Sequence, residues 1–151
     1  YETYRNATRE AAKKLGLQLV EVNAMSGDEL KQKAIHLTRK IGDAIFLPPD
    51  AIVSAAIREV VQQAINEKTP SISANESNVK RGALATYAPD YFAMGQQGAL
   101  LVDKILKGAK PMDLPIEQPF KLKLVINLKT AKAIGLKIPK EILLRADEVI
   151  E

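Results

Sequence analysis

Three short polar clusters stand out in this chain, each placed directly after a run of mostly apolar residues. They are Pro48-Pro49-Asp50, Asn75-Glu76-Ser77 and the stretch 87–91, which begins and ends with tyrosine. Carboxylates suit a ligand ammonium group or the hydroxyls of a sugar, and tyrosine rings suit an apolar or aromatic ligand body. The residue types therefore favour a binding site for a small solute.

Each cluster also has a purely structural interpretation. Asp50 is a suitable N-cap for the helix expected after it, a role compatible with contacting a ligand. Asn75-Glu76-Ser77 has the composition of a simple turn, and Tyr91 is suited to packing against the next helix. The sequence leaves these alternatives open.

Enzyme chemistry finds little support in the sequence. There is no glycine-rich phosphate loop after a strand and no nucleophile elbow of the Gly-x-Ser-x-Gly type. Cysteine is absent, and the single histidine, His36, falls in a helical stretch. Asp50 and Glu76 are the remaining candidates for a catalytic acid–base pair, but their spacing in the sequence alone does not support that role. We therefore predict a protein that is not an enzyme and that has no cofactor and no metal site.

The elements that must position these clusters alternate between helix and strand. The spacing predicts helices over residues 3–15, 26–40, 51–66, 91–107, 127–134 and 139–146, and strands over residues 17–22, 43–47, 70–74, 83–87 and 120–126. Residues 75–82 are predicted to be a polar loop, the strand over 43–47 to be buried on both faces, and the strand over 120–126 to lie at an edge.

This alternation is typical of an α/β fold with a doubly wound parallel sheet. In such sheets ligands bind at the carboxyl ends of the strands, so the three polar clusters are expected along one edge. The pattern opens on a helix where a strand–helix–strand unit would begin with a strand. We therefore expect a strand before Tyr1 and interpret the chain as a fragment or processed product.

Composition limits the remaining possibilities. The chain has 151 residues, a net charge of +4, 46% hydrophobic and 26% charged residues, which is ordinary for a globular domain. Its basic residues are scattered and it has no tryptophan, so nucleic-acid binding is not predicted. No apolar run approaches the length needed to cross a membrane.

Several stretches resemble one family when they are taken in order. They are DAIFLPPD at 43–50, VKRGALAT at 79–86, ILKG at 105–108, NLKTAK at 127–132 and GLKIP at 135–139. The set resembles the ABC transporter substrate-binding proteins of the tryptophan/tyrosine-binding type. The likeness covers nearly all of the chain.

The resemblance implies a two-lobed periplasmic-binding-protein type I fold, of which this chain is the C-terminal portion. Residues 1–90 would form the second-lobe α/β ligand-binding domain, and most of the first lobe is missing. Residues 91–151 would form a crossover helix, a connector strand and a tail packed on or between the lobes. The implied ligand residues are Pro49, Asp50, Asn75, Glu76, Ser77 and Tyr87, with Asp50 as the partner of a ligand ammonium or hydroxyl group.

The implied function is the extracytoplasmic solute-binding component of an ABC importer, periplasmic or anchored outside a membrane. Its partners would be the membrane permease and a small amino acid-like solute. A narrower hypothesis is that this solute has an aromatic side chain. Alternatives are a ligand-sensing domain of a receptor or regulator with the same fold and, third, an α/β enzyme. Since helix 91–107 would present Leu100, Leu101, Ile105 and Leu106 without a lobe to cover them, self-association is also expected.

Overall fold

Helices and strands alternate along the chain in the computed structural model, which describes residues 2–151. The helices are α1 (Glu2–Lys14), α2 (Gly27–Ala34), α3 (Ala51–Ala55), α4 (Ile57–Asn66), α5 (Glu76–Lys80), α6 (Tyr91–Leu106), α7 (Leu128–Ala133) and α8 (Lys140–Leu143), with a 3₁₀ turn at Pro111–Asp113. The strands are β1 (Ile45–Leu47), β2 (Ser71–Ser73), β3 (Ala85–Pro89), β4 (Leu122–Asn127) and β5 (Glu148–Ile150).

The five strands form one sheet in the order β1-β2-β3-β4-β5. The pairs β1–β2, β2–β3 and β4–β5 are parallel, whereas β4 runs antiparallel to β3. The α/β fold with a mainly parallel sheet is therefore confirmed. The prediction of an edge strand over 120–126 is wrong, because β4 has a neighbour on both sides. The outer strand β5 was missed because three residues are too few to show an alternating pattern.

One face of the sheet carries the main hydrophobic core. Ile57, Val60 and Val61 of α4 recur at helical spacing and pack with Leu47 of β1 and Val125 of β4. Phe46 points to the opposite face, since successive strand residues alternate, and its side chain is 44% exposed. The prediction that strand 43–47 is buried on both faces is therefore wrong for one of them.

The predicted helix over residues 51–66 is two helices. Ala56 separates them with φ −109° and ψ 10°, and its N–H is shared between the carbonyls of Ile52 and Val53. Ala56 is fully buried, so the break lies inside the core and sets the direction in which α4 continues. Packing decides this break, and the run of apolar residues in the sequence does not show it.

The predicted polar loop over residues 75–82 contains the short helix α5, so that prediction is also wrong. Asn75 caps the helix by accepting a hydrogen bond from the Ser77 N–H at 2.9 Å. Asn78 and Val79 are buried and attach the helix to the sheet. The same Asn and Ser residues favour turns and helix N-termini, and burial of Val79 decides between the two.

The strand predicted over residues 17–22 does not form. Residues 17–24 have no helix, turn or strand assignment. Leu17, Leu19, Val20 and Val22 are 40–62% exposed despite their apolar character. A strand exists only where a neighbour accepts and donates its backbone hydrogen bonds, and no described residue provides that neighbour.

Substitution by alanine at two glycines should change the stability of the fold in opposite directions. Gly82 has φ +112°, and a Cβ there would lie 2.8 Å from Cγ1 of Val61, whereas a Cβ on Gly98 in α6 would meet nothing within 4 Å. We expect Gly82→Ala to lower the free energy of unfolding by about 1–3 kcal/mol through backbone strain and overpacking. Gly98→Ala should raise it by about 0.5–1 kcal/mol, because alanine favours the helix. Urea unfolding of both variants measures the difference, and equal effects would contradict this account.

Candidate ligand-binding edge

β1 and β2 end side by side because they are parallel and in register, and the parallel strand β3 continues three residues past the same level, to Pro89. Leu47 pairs with Ser73, and Ser73 pairs with Thr86. Adjacent strands are separated by about 4.8 Å, so Leu47 and Thr86 are about 10 Å apart. The structure thus brings the three polar clusters to one edge of the sheet.

Asp50 follows β1 and caps α3. Its Oδ1 accepts a hydrogen bond from the Ile52 N–H at 2.7 Å, while among residues 2–151 no group donates to its Oδ2. Asp50 is partly exposed, and Pro49 beside it is exposed. Capping therefore uses one carboxylate oxygen and leaves the other without a hydrogen-bond donor among residues 2–151.

Asn75 follows β2, and its conformation is set by Ser73. The Ser73 hydroxyl oxygen accepts hydrogen bonds from the Asn75 N–H at 3.1 Å and from Nδ2 of the buried Asn78 at 3.0 Å. Because Oδ1 of Asn75 caps α5, its Nδ2 is the group left to donate outward. Ser77, the second residue of α5, is exposed.

Glu76 lies beside Asn75 and takes part in an ion network. Its carboxylate is 2.6 Å from the Lys80 ammonium and 3.2 Å from that of Lys123, which also pairs with Glu148 at 2.6 Å. The hydrogen bond from Lys80, together with the one from Lys123, lowers the pKa of Glu76 below its ordinary value of 4.5. Glu76 is therefore held as a carboxylate whose charge is already compensated.

Sequence reasoning missed Lys123 as a member of this edge. Lys123 pairs with Ala88 near the end of β3, because β4 is antiparallel to β3 and begins where β3 ends. The alternation of Lys121 and Lys123 with leucines was visible in the sequence. Only the reversed direction of β4 brings these lysines to the carboxyl ends of the parallel strands.

Tyr87 and Asp90 form the β3 part of the edge. Tyr87 is 65% exposed, so its ring is accessible. Asp90 caps α6 through hydrogen bonds from the Phe92 and Ala93 N–H groups at 3.0 and 3.1 Å, and it pairs with Lys121 at 3.2 Å. These contacts lower the pKa of Asp90, and the hydrogen bond from the Ala93 N–H has the largest effect. Each of the three parallel strands therefore leads into a helix capped by an Asp or Asn residue.

Metal and membrane features can be stated for residues 2–151 only. Within that range no three His, Asp or Glu side chains are grouped so that they could hold a metal ion. His36 is exposed in the turn that follows α2. None of the helices described combines the length and the hydropathy that crossing a bilayer requires.

Comparison with known proteins gives one consistent family. Residues 3–150 match the family model described as ABC transporter substrate binding protein. A tyrosine-binding protein of Clostridioides difficile is 28% identical over 132 residues, which is 87% of this chain and 38% of that protein.

Two solved structures are similar over almost the whole chain. A conserved domain protein of Vibrio cholerae has a TM-score of 0.87 and 32% identity, covering 97% of this chain and 49% of that one. An ABC domain from Streptococcus pneumonia, solved in complex with L-Trp, has a TM-score of 0.85 and 30% identity, covering 99% of this chain and 51% of that one. This chain therefore spans about half the length of these solved relatives.

The ion network makes a prediction about acid stability. Because the folded pKa of Glu76 is lowered, its stabilising effect is present above the ordinary carboxyl pKa and is lost as the pH falls through the folded value. When the pH is lowered from about 6 to about 3, the free energy of unfolding should therefore fall less for Glu76→Gln than for the parent chain. The difference should be about 1 kcal/mol or less, as for other partly exposed ion pairs.

Urea unfolding at several pH values measures this effect. Glu10→Gln is the matched control, since Glu10 on α1 is exposed and makes no ion pair with the described residues. A Glu76→Gln variant with the same pH dependence as Glu10→Gln would show that the network contributes nothing to folding.

Proposed function

The chain belongs to the ABC transporter substrate-binding protein family, and on that premise we propose that it forms one wall of the solute-binding cleft of an ABC importer's binding protein. The proposed solute is an amino acid with an aromatic side chain. The names of two relatives, a tyrosine-binding protein and a domain in complex with L-Trp, support this choice.

One observation carries the proposal: three accessible groups of complementary chemistry lie along one edge, two just after β1 and β2 and the third on β3. Asp50 offers a carboxylate oxygen to the ligand ammonium group, and Nδ2 of Asn75 offers a donor to the ligand carboxylate. The exposed Tyr87 ring offers a surface against which an aromatic side chain can stack. Pro49 and Ser77 complete this wall, and Glu76 supports it from its ion network.

Binding without catalysis is part of the proposal. The sequence offers Asp50 and Glu76 as an acid–base pair, but Glu76 is paired with both Lys80 and Lys123. A carboxylate held in its charged form by two ammonium groups is a poor proton donor, because losing its charge would break both ion pairs. This favours a solute-binding role over an α/β enzyme.

The remaining half of the cleft belongs to a first lobe outside residues 2–151 in this proposal. Closure of two lobes on the solute is the type of motion known for such binding proteins, and the closed form would dock on the membrane permease. ATP hydrolysis would be performed by another subunit. The protein would therefore work outside the cytoplasm.

The first test concerns the ligand and the charge of Asp50. Asparagine caps helices about as well as aspartate, so Asp50→Asn keeps the cap while it removes the carboxylate. We expect L-tyrosine or L-tryptophan to raise the melting temperature of the 151-residue chain and the variant to lose at least about tenfold in affinity, as loss of an ammonium–carboxylate contact predicts.

The control for this test is Asp103→Asn, which removes the same charge from the far end of α6, where Asp103 pairs with Lys107. Isothermal titration calorimetry on both variants and the parent chain gives the affinities. The proposal for Asp50 fails if the two variants bind equally well. The proposal for an aromatic solute fails if alanine or a sugar binds as tightly as tyrosine and tryptophan.

We also propose that residues 91–151 contain a crossover arm built on α6. Only Ala93 of its sixteen residues is buried. Gln97 holds the connector against one side through Oε2 of Glu117 at 2.6 Å and the Gln118 carbonyl at 3.1 Å.

The opposite side of α6 carries an exposed stripe at heptad spacing, here called the α6 stripe, which consists of Phe92, Gly95, Ala99, Val102 and Leu106. Phe92 is 77% and Leu106 81% exposed. In the full binding protein the first lobe would cover this stripe.

In the 151-residue chain the α6 stripe should cause self-association. We expect sedimentation velocity to show a dimer or larger species whose population rises with concentration. Leu106→Lys, on the stripe, should shift it to monomer, because a buried ammonium opposes the contact. Leu144→Lys is the matched control, since Leu144 is 86% exposed but lies outside α6. A parent chain that stays monomeric, or equal effects of both lysines, would contradict this expectation.

A further inference from the structure

Two buried side-chain oxygens lie beneath the candidate ligand-binding edge without a hydrogen-bond partner. They are Oδ1 of Asn78 in α5 and Oγ1 of Thr86 in β3, and no group of residues 2–151 bonds to either of them. Both residues are 1% exposed, so bulk solvent does not reach these oxygens. Leaving a buried polar group unpaired costs its free energy of hydration, and nearly all such groups in folded proteins are therefore paired.

The sheet places Thr86 under α5. Thr86 pairs with Ser73 of β2, and paired residues of adjacent strands point to the same face of a sheet. The same row of residues continues to Leu47 on one side and to Val125 on the other. Val79 of α5 packs in one core cluster with Leu47 and Val125, so α5 lies across this row. Helix α5 therefore covers both Ser73 and Thr86.

A third polar group at this place is the hydroxyl of Ser73, which is also 1% exposed. Its oxygen accepts hydrogen bonds from the Asn75 N–H at 3.1 Å and from Nδ2 of Asn78 at 3.0 Å. Because a hydroxyl oxygen has two lone pairs, both are used, and the hydroxyl proton is left to donate. No group of residues 2–151 accepts that proton.

These unpaired groups are complementary to one water molecule. The Ser73 and Thr86 hydroxyls can each donate to a water oxygen, and Oδ1 of Asn78 can accept a water proton. An internal water typically makes about three hydrogen bonds, which is the number available at this place. A cation would accept neither hydroxyl proton, whereas a water oxygen accepts both, so water fits these groups better.

We propose that Ser73, Asn78 and Thr86 bind one internal water molecule between the sheet and α5. The water accepts hydrogen bonds from the two hydroxyl groups and donates one to the Asn78 amide oxygen. It links β2, β3 and α5 where β2 and β3 share only two residue pairs, against five between β3 and β4. The inference stands on buried polar groups and does not depend on the proposed solute.

Through Ser73 the water also acts on the candidate ligand-binding edge. A hydroxyl that donates to a fixed water has its two lone pairs in fixed directions, here toward the Asn75 N–H and Nδ2 of Asn78. Asn75 in turn caps α5 through its Oδ1, so the same set of bonds orients its Nδ2. Ser73, Asn78 and Thr86 are therefore positioning residues, and Asn75 is the edge residue that they position.

The first test is the sign of the stability change in Thr86→Val, which replaces the hydroxyl with a methyl group of similar size. Loss of a hydrogen bond to the water should raise the unfolding equilibrium constant about fivefold, as for a net hydrogen bond of ordinary strength. An unpaired hydroxyl predicts the opposite sign, because valine would then remove only the cost of burying a polar group. Urea unfolding of the variant and the parent chain measures the constant.

Thr130→Val is the matched control. Thr130 is 5% exposed, and its hydroxyl donates directly to the Gly82 carbonyl at 2.8 Å. This variant measures what the loss of a paired hydroxyl costs in the same protein, so both variants should raise the unfolding constant by a similar factor. The proposal is overturned if Thr130→Val unfolds more readily than the parent chain and Thr86→Val does not.

The second test is a crystal structure of the 151-residue chain at a resolution that shows ordered water. We expect one water within hydrogen-bonding distance of Oγ1 of Thr86, Oδ1 of Asn78 and Oγ of Ser73. A direct hydrogen bond between Thr86 and Asn78 would overturn the proposal, and so would a cation or an empty space between the three side chains.

Hydrogen exchange tests the positioning of Asn75. In Thr86→Val the Asn75 N–H should exchange at least about threefold faster relative to the Leu84 N–H, because only the first of these groups bonds to Ser73. The Leu84 N–H is the internal reference, since it donates to the Ser71 carbonyl between the same two strands at 2.9 Å. An equal change at both N–H groups would show that the water does not position Asn75.

Discussion

Parallel pairing of β1, β2 and β3 is the constraint on which the rest of this structure depends. The register between Leu47, Ser73 and Thr86 places the ends of β1 and β2 level with the second residue of β3, and the candidate ligand groups lie just beyond β1 and β2 and on β3 itself. The same pairing requires a helical crossing after β1 and after β2, and α6 follows β3, so three helix N-termini lie at this edge. Without the backbone hydrogen bonds between these strands, Asp50, Asn75 and Tyr87 would be unrelated residues.

At this edge the proposed ligand groups Asp50 and Asn75 are also helix caps, as is Asp90. Asp50, Asn75 and Asp90 each accept hydrogen bonds from the first N–H groups of the following helix. An N-cap is held in one orientation by those bonds, so its remaining polar atoms point in a fixed direction. This is how short strands of three residues can position groups precisely: each group is fixed by the helix after the strand as well as by the strand itself.

Charge compensation divides the edge into two parts with different roles. Glu76, Lys80, Lys123 and Glu148 satisfy one another, so they connect α5, β4 and β5 and carry little net charge. Asp50 and Tyr87 have no such partner among residues 2–151. In the proposed function the uncompensated part would contact the solute. A similar contrast appears in the apolar residues, since α4 is buried on its core face while α6 and residues 17–22 remain largely exposed.

The sequence by itself determined the α/β class, most helices and strands within a few residues, and the three clusters after the strands. It could do so because helix caps, glycine stops and apolar periodicity are local signals, as Asp50 before α3 and Asn127 before α7 show. Tertiary structure alone decided the break at Ala56, the helix after Asn75, the reversed direction of β4 that brings Lys123 to the edge, and the unpaired state of residues 17–22. Each of these depends on a partner distant in sequence. A local pattern states what a segment can form, whereas burial and backbone pairing with other segments decide whether it does.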